Sequence, residues 1–244
     1  MAVALLVRHG RTAANVDGLL AGWSPAVPLD ARGVEQAAQL GRRLATTPLV
    51  AVVSSPLERC LQTADAITSA HDGAPPARHT DDAIGECHYG AWTGRPLAEL
   101  AREPLWDDIQ KRPSTVRFPP HDDYRAESML EMLDRVVTGI SAWDQRIEEE
   151  HGPGAVWAAV SHGDVIKALL GAALGSPLDR FQRIVVDPAS LSIVRYASAH
   201  PFVLRVNDTG SDPVDLSALS RALTESPSGG PDDDAAVGGG AGSD

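Results

Sequence analysis

Two apolar runs of this chain end on side chains able to do chemistry. Leu5-Leu6-Val7 stops at Arg8-His9-Gly10, and Val156-Trp157-Ala158-Ala159-Val160 stops at Ser161-His162-Gly163. A short apolar run reads as a strand buried on both faces, and the glycine after it permits a turn into a following helix. Open α/β sheets bind ligands beyond the carboxyl ends of their strands. The pattern therefore predicts two imidazoles delivered to one sheet edge. Arg8 would stand there as a fixed cation, joined by Arg59, which closely follows a third apolar run, Leu49–Val53. A phosphate monoester dianion needs such a setting: guanidinium groups that match its oxygens in pairs, and backbone donors at helix starts. His9 is the candidate nucleophile, since neighbouring cations disfavour the charged ring and keep a nitrogen lone pair free. His162 is the candidate donor to the transferring phosphoryl oxygens, and Asn15 could add an amide donor. A departing alkoxide needs a proton, and Glu86, in a glycine-flanked loop, is the carboxyl placed to supply it if burial keeps it protonated.

Positioning these groups calls for alternating strands and helices. Asp30 is placed to cap a helix running through Ala45, with Val34, Ala37, Ala38, Leu40 and Leu44 at helical spacing. Ser55 and Pro56 read as the cap and first position of the next helix, whose apolar face is Leu57, Cys60, Leu61, Ala64 and Ile67. Residues 71–83 read as polar loop, 84–94 as an irregular glycine-rich segment, and 97–111 as a helix or helical pair interrupted at Pro104. Met129, Leu133, Val136, Ile140, Trp143 and Ile147 mark a long amphipathic helix. A helix from Asp164 to Leu174 follows the His162 strand, and Leu191–Tyr196 with Phe202–Val206 form a hairpin. The expected architecture is α/β, a three-layer α/β/α sandwich around a mainly parallel sheet.

Composition bounds the rest. With 244 residues and 43% hydrophobic content, the chain is long enough for one catalytic domain, expected over residues 1–207. Residues 208–244 read as an acidic Gly/Ser/Pro/Asp-rich disordered tail. It holds eight acidic residues against Arg221 alone, and so carries −7 of the net −12. The mildly acidic body argues against nucleic-acid binding. No stretch reaches the roughly 20 apolar residues of a membrane span. The two cysteines, Cys60 and Cys87, give neither a disulfide framework nor a zinc spacing. A cytoplasmic setting is the expectation, and a homo-oligomer is allowed. There is no Cys-x5-Arg phosphatase signature, no Gly-x-Ser-x-Gly elbow and no Walker loop. A metallo-hydrolase built on His9, His88, His162 and Asp164, and an inert phospho-ligand binder, are the rival readings.

Taken together, Arg8-His9-Gly10, Ser54-Ser55-Pro56-Leu57-Glu58-Arg59 with Gln62-Thr63-Ala64, Glu86 with Gly90-Ala91-Trp92-Thr93-Gly94, and Ser161-His162-Gly163 resemble the histidine phosphatase superfamily, the phosphoglycerate-mutase-like proteins. The blocks stand in the family's order over residues 1 to about 207. The resemblance implies a phosphohistidine on His9, a phosphate pocket of Arg8, Arg59 and His162, Glu86 as proton donor, and no metal or cofactor. It also sets Gly22 and Gly163 beside Arg8, Asn15 and Arg59 as substrate-binding positions. The partner it implies is a small phosphorylated metabolite, hydrolysed by a phosphomonoesterase or, alternatively, isomerised by a phosphomutase. Three departures bear on that choice. Arg11 stands where the family often has Glu or Gln. The first loop reads Ala21-Gly22-Trp23, and no paired arginines match those of the glycolytic mutases near residues 100–120. The segment before the long helix is reduced to Arg125-Ala126-Glu127-Ser128. A dedicated glycolytic mutase is therefore not expected.

Overall fold

The apolar run at the start of the chain is buried on both sides of a sheet. The computed structural model describes residues 2–197, 199–210, 213, 214 and 216. Its elements are β1 (Val3–Arg8), α1 (Ala13–Val16), α2 (Ala31–Leu44), β2 (Leu49–Ser54), α3 (Glu58–Ser69), β3 (Ala77–Thr80), α4 (Leu97–Leu100), α5 (Pro104–Lys111), α6 (Met129–His151), β4 (Val156–Ser161), α7 (Gly163–Ala173), β5 (Leu191–Tyr196) and β6 (Pro201–Asp208). The six-stranded sheet has the order β3-β2-β4-β1-β5-β6. β3, β2, β4 and β1 are parallel; β5 and β6 add an antiparallel edge. Successive strand residues point to opposite faces. Val3, Leu5 and Val7 accordingly join Leu40, Leu44, Cys60, Ala64 and Ile67 of α2 and α3 in one core. Ala2, Ala4 and Leu6 join Met132, Val136, Ile140, Ile166 and Leu169 of α6 and α7 in the other. This is the three-layer α/β/α sandwich that the strand–helix alternation predicts.

The register is what matters for chemistry. Arg8 pairs with Ser161, and Ser54 with Val160, so the three central parallel strands end level with one another. The ladder continues one residue further, with His9 N donating to Ser161 O at 3.0 Å and Ser55 N to Val160 O at 2.9 Å. Neighbouring strands lie about 4.8 Å apart. Whatever follows β1, β2 and β4 is thus delivered to one small area.

Several expectations need correction. α3 starts at Glu58 rather than at Pro56, and the Ser55 hydroxyl is shared between a short bond with His162 Nε2 at 2.7 Å and a long one from Leu57 N at 3.4 Å. Residues 77–80, read as loop, form β3, an exposed edge strand defined by pairing to β2 rather than by any apolar pattern of its own. Val34 lies on the exposed side of α2. Gly10 is absent from the positive-φ residues. What it provides is space, since a Cβ there would stand 2.6 Å from Gly33 O, and one on Gly33 would stand 1.9 Å from Arg11 O. These glycines let the His9 turn lie directly on the start of α2. β6 extends to Asp208, and past the expected boundary at 207 Val214 and Leu216 are still buried, with Val214 N bonded to Arg43 O at 3.0 Å. Most of the segment expected to be a disordered tail, residues 217–244, lies outside the described residues.

Candidate active site

A cavity of about 330 Å³ opens over the carboxyl ends of β1, β2 and β4. Arg8, His9, Asn15, Gly22, Arg59, Glu86 and Gly163 line it, so one wall gathers all but one of the residues that the sequence nominates. The exception is His162. Its ring is fully buried and sits one layer behind the wall, edge-on to His9 with ring centres 5.3 Å apart.

The hydrogen bonds fix how each ring is used. His9 Nδ1 lies 2.8 Å from Gly10 O, which can only accept, so Nδ1 carries the proton and Nε2 keeps the lone pair. Arg59 Nε donates toward that lone pair at 3.3 Å. Burial, then Arg59, then Arg8 hold the His9 imidazole well below its usual pKa, so the ring is neutral. The same causes, burial first, lower His162, with His9 itself contributing. Arg59 Nη2 donates to His162 Nδ1 at 3.2 Å, leaving Nε2–H to bond Ser55 Oγ. In this geometry His162 braces Arg59 from behind.

Arg59 is 2% exposed, and its Nη2 also donates to Gly22 O at 2.9 Å. Gly22 reaches that position with φ +50, a backbone state that glycine adopts without strain. Arg8 donates to Val186 O at 2.7 Å through Nη1, while its Nε is buried with no partner. A buried unpartnered guanidinium N–H on a cavity wall is a site for an anion. Asn15 uses its Oδ1 to close the capping box with Thr12, which leaves the amide NH2 as the group it can offer. Arg11 turns away from the cavity to pair with Asp30 at 2.8 Å.

Glu86 lines the same cavity, with Oε2 at 3.7 Å from His162 Nδ1 and Oε1 accepting from Cys87 N at 3.0 Å. Burial first and the nearby Asp164 second push its carboxyl up to about 7. It therefore holds a proton in the range where an ordinary carboxyl has lost it. Cys60 lies against His162, but burial raises its thiol to about 12 and makes it a packing group, not a nucleophile. His88 stacks on Trp23 at 4.5 Å in a separate hollow. Among the described residues no group of three or more His, Cys, Asp or Glu is arranged to hold a metal.

Sequence reasoning misses the device that aims Glu86. Arg135 of α6 donates to the carbonyls of Asp82, Ala83, Gly85 and Glu86 at 3.0–3.2 Å and to both carboxylate oxygens of Glu127. Glu127, 2% exposed, also accepts from His88 N, and Trp23 Nε1 donates to Glu86 O at 2.7 Å. Arg135→Ala strands the buried Glu127 carboxylate and is expected to cost about 3 kcal/mol in denaturant unfolding. A denaturation midpoint left where it was would contradict this accounting.

A family model for the histidine phosphatase superfamily (branch 1) matches residues 4–209. The chain is 31% identical over 196 residues to the probable phosphoglycerate mutase GpmB of Proteus mirabilis, covering 80% of this chain and 85% of that protein. It is 28% identical over 189 residues to the adenosylcobalamin/alpha-ribazole phosphatase of Escherichia coli, covering 78% and 87% respectively. Among solved structures, Bacillus stearothermophilus YhfR superposes with a TM-score of 0.73 at 27% identity, over 88% of this chain and 98% of that one. With two strand-end histidines, two arginines and a raised glutamic acid gathered at one sheet edge, and a family match that spans the whole sheet, this chain belongs to the histidine phosphatase superfamily, branch 1.

Proposed function

We propose that the protein is a phosphomonoesterase working through a phosphohistidine on His9. The observation that carries this reading is the fixed tautomer of His9. Nδ1 is committed to Gly10 O, and the Nε2 lone pair is held toward Arg59, with the protonated Glu86 carboxyl in the same cavity. The dianion binds with its oxygens on Arg8 Nε, Arg59 and the Asn15 amide. Nε2 attacks phosphorus in line, the phosphorus–oxygen ester bond breaks, and the Glu86 proton goes to the departing oxygen. In the second step the Glu86 carboxylate takes a proton from water, whose oxygen attacks phosphorus. The nitrogen–phosphorus bond breaks and its electron pair returns to Nε2. Most of the rate comes from positioning and charge stabilisation. His162 acts from behind the wall, its Nδ1 accepting from Arg59 and so fixing the guanidinium that faces the phosphoryl oxygens. Neither step as written uses a metal.

The pH dependence follows from the two groups. His9 must be unprotonated, and its pKa lies well below the usual imidazole value, so the acid limb falls below about 6.5. Glu86 must be protonated, so kcat/KM for alkyl esters falls as pH rises through about 7. Glu86→Gln should remove that alkaline limb and slow alkyl esters about 10²–10³-fold while slowing 4-nitrophenyl phosphate far less. Folded Glu86 binds a proton between its unfolded value near 4.5 and about 7, so its burial lowers stability progressively as pH rises through that window. The Gln variant should then melt at or above the wild type at pH 8. Equal slowing of both esters would remove Glu86 as the acid. A phosphomutase would return the phosphoryl group to a bound hydroxyl; isomerisation of a phosphorylated substrate without release of phosphate would decide for it.

A further inference from the structure

Beside the polar groups, part of the cavity lining has a chemistry of its own. Leu20, Leu97, Trp106, Ile109 and Phe118 line it. Ile109 and Phe118 are buried, whereas Leu20, Leu97 and Trp106 are half-buried. Such side chains in a concavity beside a polar centre form an apolar subsite. The cation accounting points the same way. Arg8 and Arg59 belong to the phosphoryl end, and the remaining cation on the wall is Lys167. Its Nζ is 3.4 Å from Asp164 Oδ1 and 3.1 Å from Gln182 Oε1, so its charge is already answered. The other Asp164 oxygen accepts from Tyr89 Oη at 2.9 Å. A second anionic group on the substrate would meet the Asp164 carboxylate, the neutral amides of Gln110 and Gln182 and hydrocarbon, and among the described lining residues no cation is left unspent for it.

We infer that the leaving-group side of this site takes the uncharged, apolar alcohol of a phosphate monoester, hydrocarbon or ring, in preference to a small polyanionic metabolite. The inference rests on the phosphomonoesterase reading and narrows it. It makes Trp106 and Leu97 specificity-determining residues.

The test is kcat/KM for phosphate release by the full chain from ethyl, n-hexyl and 2-phenylethyl phosphate, with 3-phosphoglycerate as the polyanionic comparator. Ethyl and n-hexyl phosphate leave as primary alkoxides of similar basicity, so their ratio reads the subsite and not the bond. Each fully buried methylene is worth about four-fold. The hexyl ester should exceed the ethyl ester by roughly 15-fold at half burial and 250-fold at full burial. The 2-phenylethyl ester should rank with the hexyl ester and above 3-phosphoglycerate. Trp106→Ser and Leu97→Asn are each expected to compress the hexyl-to-ethyl ratio by about five-fold or more; either variant suffices if the other does not fold. A flat ratio, or a preference for 3-phosphoglycerate, overturns the inference while phosphate release upholds the phosphatase. A high ratio unmoved by the folded variants overturns the assignment of the subsite. Release from none of the esters overturns the phosphatase reading and the inference with it.

Discussion

His9→Ala is expected to lower kcat by about 10⁴–10⁶-fold on every phosphate ester, whatever its leaving group. In the proposed mechanism the Nε2 lone pair is the attacking electron pair, and among the described residues no other group at the sheet edge is placed to replace it. His162 is turned with Nδ1 against Arg59 and Nε2 against Ser55, and Cys60 stays a thiol because burial holds it at about 12. Arg8 and Arg59 remain in the variant, so the dianion still has its cradle and KM should move far less than kcat. The fold should survive. The His9 ring makes two hydrogen bonds, one to its own neighbour's carbonyl and a longer one from Arg59 Nε at 3.3 Å, and the backbone bonds from His9 N to Ser161 O and from Ala189 N to His9 O do not need the ring. Steady-state kinetics beside a thermal melt check this. Residual activity above about one per cent in a folded variant would point to another nucleophile.

Arg59→Met should be the next most damaging change, at about 10³–10⁴-fold in kcat/KM. One guanidinium reaches His9 Nε2, His162 Nδ1 and Gly22 O, so its loss removes the proposed phosphate ligand and loosens both imidazoles and the first loop together. The change also has a signature that a general loosening would lack. After burial, Arg59 is the largest cause of the lowered pKa of both histidines. Removing it lets His9 rise toward the ordinary imidazole value. Since the protonated ring cannot attack, the acid limb of the pH–rate profile should move to higher pH. Arg59→Lys restores the charge but not the fork. It should return the limb toward wild type and recover only part of kcat/KM. An acid limb that stays put in Arg59→Met would contradict the electrostatic account of His9.

How much of this was legible in the sequence follows from where each signal is stored. β1, β2 and β4 are readable because strands buried on both faces must be continuous apolar runs, and α2 and α6 because an amphipathic helix writes its period into the chain. The convergence of His9, Arg59 and His162 was legible too, since each follows such a run closely and parallel strands end side by side. β3 was not legible: Ala77-Arg78-His79-Thr80 is exposed, and its strand character comes from β2 beside it. The start of α3 was misread because Ser-Pro is a sound capping signal, whereas here the Ser55 hydroxyl makes its short bond with His162 and the helix starts at Glu58. The hidden position of His162, behind the wall and not on it, depends on side-chain packing that spacing does not encode. Arg135 looks like any cation on the polar side of α6. Its grip on the Glu86 loop exists only because residues about 50 positions earlier fold back onto it.

Central to this account is a nitrogen–phosphorus bond at one named atom. Alkaline quench during steady turnover of a phosphate ester, followed by peptide mass spectrometry and phosphorus NMR, reads it directly. The account predicts phosphohistidine at Nε2 of His9, formed in a burst that precedes the steady state whenever the second step is the slower and abolished in His9→Ala. Turnover with no protein-bound phosphate where that burst demands it, or phosphate on any residue but His9, would contradict it.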